Sequence, residues 1–122
     1  MHPTGQRLAI ITNGGGPGVM AADRAGALGL PLATLSAETK QKLERVLPAN
    51  WSHGNPIDVI GDAGPERYRA AITACLEDRG VDGIVAILTP QAMTAPDDAA
   101  AAVIGAAAGS SKPVITCWMG EA

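Results

Sequence analysis

Aromatic side chains are nearly absent from this chain: Trp51, Tyr68 and Trp118 are the whole set, with no phenylalanine. Little is available, therefore, from which to build a stacking platform for bases. Positive charge is scarce as well. Lys and Arg number 9 against 12 Asp and Glu, for a net charge of −3, so no basic stripe exists to follow nucleic acid. No apolar run is long enough to span a membrane, and the N-terminus carries no apolar signal core, so neither a membrane partner nor export is expected and the reading is cytoplasmic. Cysteine is limited to Cys75 and Cys117, read as small core residues, and the two histidines lie far apart. That spacing supports neither a disulfide framework nor a metal site. No catalytic constellation of side chains stands out.

What the chain has is glycine, concentrated at Gly14, Gly15, Gly16 and Gly18. The apolar run Leu8–Ile11 leads into this stretch, and small residues at helical spacing (Ala21, Ala22, Ala25) lead out. Strand, glycine turn and helix together point unpaired backbone N–H groups at an anion. Without a Cβ, glycines let the anion approach closely and permit positive φ where the turn needs it, and Pro17 suits the first helical turn. The expected phosphate cradle comprises Asn13, Gly14, Gly15, Gly16 and Gly18, with phosphate or sulfate as its occupant. Two familiar loops compare poorly. A Walker A loop ends in Gly-Lys-Ser/Thr, whereas Val19-Met20 follow here. Gly16-Pro17-Gly18-Val19-Met20-Ala21 fits the dinucleotide fingerprint formally, but Thr34-Leu35-Ser36 at the next strand tip supplies no acid for a ribose. A free-standing dinucleotide or flavin binder stays open as an alternative, as does a plain tight turn.

Hydrophobic residues make up 47% of the 122 residues, which fits one globular domain. Residues 1–6 form a polar lead and 7–122 the domain. Strands are expected at Arg7–Thr12, Leu30–Leu35, Ile84–Leu88 and Val114–Trp118, with a further short extended segment at Ile57–Ile60. The first helix closes at Gly29. Ser36 caps a second helix with Thr39, Leu43, Val46 and Leu47 inward and Glu38–Lys42 and Lys40–Glu44 pairs on its wet side. Pro65 opens a third with Tyr68, Ile72, Cys75 and Leu76 inward, and Pro96 an Ala-rich fourth. This alternation implies an α/β fold with a doubly wound parallel sheet. Ligands of such sheets sit beyond the carboxyl ends of the strands. The glycine turn and the Thr89–Thr94 loop both leave those ends, and the long Pro48–Gly64 stretch could join them.

Three motifs in order, Thr12–Asp23 (TNGGGPGVMAAD), Asn55–Ala63 (NPIDVIGDA) and Leu88–Thr94 (LTPQAMT), resemble the NDP-forming acyl-CoA synthetases. The match is to their flavodoxin-like ligase domain and, more distantly, to succinyl-CoA synthetase. The resemblance implies a three-layer domain with four strands in the order 2-1-3-4, cut from a longer chain before its last helix and strand. It implies acid–thiol ligase chemistry: acyl phosphate, then a phosphohistidine on a swinging segment, then ADP or GDP. In that scheme the glycine turn holds the phosphoryl group, and Asn55, Asp58, Thr89, Pro90 and Gln91 line a substrate pocket. The parent would bring ATP or ADP, Mg and CoA through CoA-binding, phosphohistidine and ATP-grasp domains, none of which this chain contains; by itself the domain would be inactive. The Trp51-Ser52-His53-Gly54 insertion also resembles bacterial protein lysine acetyltransferases that fuse such domains to a GNAT unit, where this domain would be regulatory. His53 is read as a loop histidine bonding backbone or water rather than as the phosphoryl carrier.

Overall fold

A computed structural model describes residues 6–90, 93 and 95–118. Strand β1 (Leu8–Thr12) runs into α1 (Gly15–Ala27), followed by α2 (Ala37–Val46), β2 (Ile57–Asp58), α3 (Pro65–Leu76), β3 (Gly83–Leu88), α4 (Pro96–Ala107) and β4 (Val114–Trp118). The four strands are all parallel in the order β2-β1-β3-β4. The expected flavodoxin-like order is borne out, but the edge strand beside β1 is Ile57–Asp58 rather than Leu30–Leu35. Leu30–Leu35 contributes a single bridge, Leu32 to Leu8, at the lower end of β1. Its backbone bonds there are Leu8 N–H to Pro31 O at 3.0 Å and Ala33 N–H to Leu8 O at 2.8 Å. Pro31 has no N–H to extend the ladder, and the upper half of β1 pairs instead with β2, Ile11 opposite Ile57 and Thr12 opposite Asp58.

Local signals place the helices. Ser36 Oγ accepts the Thr39 N–H at 3.1 Å and caps α2, Pro65 sits in the first turn of α3, and Gly29 and Gly109 take positive φ just past α1 and α4. The wet face of α2 differs from expectation. Lys42 reaches Glu77 beyond α3 at 3.0 Å rather than Glu38, Glu44 meets His53, and Val46 is exposed. Tertiary neighbours offer these charges better geometry than the next turn of their own helix.

Strand alternation divides the sheet into two unlike faces. Ala9, Ile11, Ile84, Ala86 and Leu88 join Tyr68, Ile72, Cys75, Ala99 and Val103 in one core beneath α3 and α4. The other face carries Thr12, Val85, Ile87, Ile115 and Cys117, and among the described residues α1 is the helix that packs on it. Between α1 and β3–β4 runs a mostly apolar groove of about 620 Å³, lined by Met20, Val85, Ile87 and Cys117 among others, with Asp23 and Arg24 also contributing. Met20 and Ile115 stand about 60% exposed beside it, and Cys117, expected in the core, is exposed on this face; Cys75 is buried, which pushes its thiol up to about 12. An edge strand next to an uncovered apolar face favours association. Multi-angle light scattering should therefore show a mass that climbs with concentration above 12.3 kDa, and Ile115→Glu should reverse the climb. A mass constant at every concentration would count against it.

Candidate functional site

The carboxyl ends of β1 and β3 open onto one site, and it is built around the Thr12-Asn13-Gly14 turn. Thr12 closes the turn on itself: its hydroxyl accepts the Gly14 N–H and donates to the Gly14 carbonyl, both at 3.0 Å. Gly14 is the N-cap of α1 at φ −135°, with no side chain capping the helix and no acid in its first turn. Gly18 N–H then bonds back to Gly14 O at 3.1 Å. Gly15 and Gly16 are exposed residues, and their N–H groups have no acceptor among the described residues. Two free donors and the positive end of a 13-residue helix make this a place for an anion.

The glycines serve different ends from those expected. None of positions 14, 15, 16 and 18 has a positive φ, so left-handed geometry is not their reason. A Cβ on Gly18 would meet Thr12 Cγ2 at 2.9 Å and Pro56 Cβ at 3.6 Å, and one on Gly14 would meet Thr89 Cγ2 at 3.2 Å. Gly18 thus lets α1 press against Thr12 of β1, and Gly14 leaves room for Thr89 just beyond β3. At Gly16 nothing lies within 4 Å, so its bareness leaves the donors open to solvent.

Asn13 is buried at 3% exposure, and its whole amide is engaged. Nδ2 donates to Gly61 O at 2.9 Å and Thr89 O at 3.0 Å. Oδ1 accepts the Thr89 N–H at 2.7 Å and the Thr89 hydroxyl at 2.9 Å. The Tyr68 hydroxyl reaches Ile87 O at 2.7 Å and Asn13 Oδ1 at 3.1 Å, and burial raises the Tyr68 pKa so that it stays protonated. Asn13 therefore staples three loops together and has nothing left for a ligand. Tyr68 and Thr12 are the parts that sequence reasoning passed over. A tyrosine on the inward face of an Ala-rich helix needs a partner for its hydroxyl, and that was the available signal.

The remaining candidates divide. Asp58 is half-buried at the end of β2; its Oδ1 accepts the Ile60 N–H at 2.8 Å, and its Oδ2 lies 3.7 Å from where a Gly15 Cβ would stand. It thus places a carboxylate close to Gly15. Beyond it Ile60 holds φ +76°, a strained value for a β-branched residue. Arg67 secures that loop by donating to Val59 O and Asp62 Oδ1, both at 2.9 Å, and its hydrogen bond lowers the Asp62 pKa. Thr89 is tied to Asn13, Pro90 is buried beside it, and Gln91 lies outside the described residues. Asn55 sits lower, level with Leu8–Ile10. Its Oδ1 accepts the Ile10 N–H at 3.0 Å, and its Nδ2 donates to Leu8 O at 2.8 Å and Ala33 O at 2.9 Å. It splices the Leu32 bridge to β2 along the open edge of β1, across a cis Asn55–Pro56 bond. His53 has both ring nitrogens engaged, by Glu44 and by Ala49 O. Among the described residues no three His, Cys, Asp or Glu side chains gather around a possible metal, and no helix is long and apolar enough to cross a membrane.

Known proteins share this arrangement. Over 113 residues, 93% of this chain, it is 44% identical to an acetate–CoA ligase [ADP-forming] I of Archaeoglobus fulgidus, of which the match spans 16%. It is 38% identical to the alpha subunit of acetate–CoA ligase [ADP-forming] II of Pyrococcus furiosus, covering 96% of this chain and 26% of that one. The solved dinucleotide forming acetyl-coenzyme A synthetase 1 of Candidatus Korarchaeum cryptofilum, in complex with phosphate and ADP, superposes with a TM-score of 0.86 at 32% identity, over 98% of this chain and 26% of that one. The chain thus spans between about a sixth and a quarter of these relatives. Residues 8–122 match the model of the Ligase-CoA domain, and this protein belongs to that family.

Proposed function

We propose that this chain is the ligase domain of a larger NDP-forming acyl-CoA synthetase and that the Gly15 and Gly16 N–H groups bind the phosphoryl group in transit. The observation that carries this reading is the uncapped start of α1: two exposed, unpartnered donors on a helix dipole, in a chain similar to ADP-forming ligases. The domain offers anion binding rather than bond-making. Apart from Asp58, the side chains at the turn are neutral and engaged by the backbone, so the histidine, nucleotide with Mg and CoA belong to other parts of the parent. The acyl phosphate or phosphohistidine would present its oxygens to these two amides. The N-terminal dipole would then offset part of the charge that moves between carriers.

Gly16→Val is the selective test. The residue lies within α1 at ordinary helical φ with open space around it, so the valine costs little stability, yet its branched side chain shields the Gly15 and Gly16 amides. In a titration with inorganic phosphate followed by amide NMR, the native chain should show its largest shifts at Gly15 and Gly16. Gly16→Val should weaken binding at least about tenfold, equivalent to roughly 1.4 kcal/mol, with the melting temperature nearly unchanged. Undiminished binding in that variant, or shifts centred elsewhere, would overturn the reading.

A further inference from the structure

His53 faces an acceptor with each of its ring nitrogens. Nδ1 lies 2.9 Å from Glu44 Oε2 on α2, and Nε2 lies 2.8 Å from the carbonyl oxygen of Ala49. A neutral imidazole has one N–H and satisfies only one of them, turning a lone pair on the other; an imidazolium satisfies both. The ring also rests near Trp51, centroids 4.8 Å apart and planes tilted by 44°. Trp51 itself is 2% exposed and belongs to the core, and an indole face favours a cation beside it. The His53 backbone holds φ +58°, so these ring contacts secure a kink that most residues resist.

The same segment leads directly to the candidate site. The Ser52 hydroxyl donates to Pro56 O at 2.7 Å and accepts the Asp58 N–H at 2.9 Å. Residues 48–58 therefore form one braced piece, held to α2 at one end and delivering Asp58 to the start of α1 at the other. We infer that His53 is a protonation-dependent latch: as the imidazolium it clamps this segment to α2 and fixes Asp58 beside the glycine turn, and loss of the proton releases the clamp.

Among the described residues, Glu44 is the charged group that faces the ring; its other neighbours are the Ala49 carbonyl and the Trp51 indole. The Glu44 hydrogen bond, then the Ala49 carbonyl, raise the His53 pKa from its ordinary 6.5. Glu44 is itself held below the usual carboxylate range, first by the nearby Trp51 indole and then by His53, so it stays charged throughout. Among the described residues Trp51 Nε1 has no hydrogen-bond partner within reach. With a folded-state pKa above the unfolded one, the latch is fully engaged below 6.5 and is lost as pH rises through the folded value.

An NMR titration of the chain from about pH 5 to about pH 9 tests this through three signals: the His53 ring, the Trp51 indole N–H and the Asp58 amide. All three should share one midpoint above 6.5. Glu44→Gln should move that midpoint back toward 6.5 in all three, and His53→Asn, chosen because Asn tolerates left-handed backbone, should abolish it while the fold persists. An unchanged midpoint in Glu44→Gln would overturn the inference. So would a His53 that titrates while the Asp58 amide and Trp51 indole stay still.

Discussion

Asn13→Ala should lower the melting temperature of this domain by about 10 °C and abolish measurable phosphate binding. The substitution strands the Thr89 N–H and hydroxyl and removes the donor to Gly61 O and Thr89 O, in a place 3% exposed. Each buried polar group left without a partner costs on the order of 1–3 kcal/mol. Partial rescue by water leaves a net loss of about 3 kcal/mol, which for a domain of this size is roughly 10 °C. The binding loss has a separate origin. Asn13 ties the glycine turn to the Gly61 and Thr89 loops, so without it the Gly15 and Gly16 amides are no longer held in one direction. Asn13→Asp sharpens the test, since it keeps an acceptor for Thr89 but turns a carboxylate oxygen on two carbonyls. It should be at least as destabilised near neutrality and recover partly in acid, where the protonated group again donates. Calorimetry showing a drop under about 3 °C for Asn13→Ala, roughly 1 kcal/mol or less, would show that the staple is dispensable.

Asn55→Ala should be comparably destabilising but should spare the anion site. Its loss leaves the Ile10 N–H, the Leu8 carbonyl and the Ala33 carbonyl without their shared partner, at the seam between the Leu32 bridge and β2. The expected cost is about 2–3 kcal/mol, with faster amide exchange at Ile10. Phosphate affinity of the folded protein should stay within about threefold of native, roughly 0.7 kcal/mol, because no Asn55 atom supports the Gly14–Gly18 turn directly. A tenfold loss of affinity with little change in stability would instead place Asn55 in ligand contact. The two asparagines thus separate what holds the sheet from what holds the site.

Much of this molecule was legible along the chain. The alternation of apolar runs and capped helical segments, Ser36 before α2, Pro65 opening α3 and the glycines at 29 and 109 are local signals, and each acts within a few residues. The three motifs pointed to the family, and the strand followed by a glycine turn marked the place where anion binding is proposed. The rest depends on partners far apart in sequence. Asn13 meets Gly61 and Thr89, 48 and 76 residues away, and Asn55 meets Leu8, 47 residues back. An asparagine amide is equally suited to a ligand or to the backbone, so composition alone could not tell which it would meet. The second strand illustrates the same limit. Leu30–Leu35 has the apolar character of a strand, but Pro31 and the competition of β2 for β1 restrict it to one bridge. Likewise Gly18 is required by the approach of Thr12, not by its own φ. Local conformation is set by neighbours in the chain, and that much the sequence determined by itself. Which polar groups are satisfied internally and which remain open to a ligand is set by contacts across the fold, and only the tertiary structure decided it.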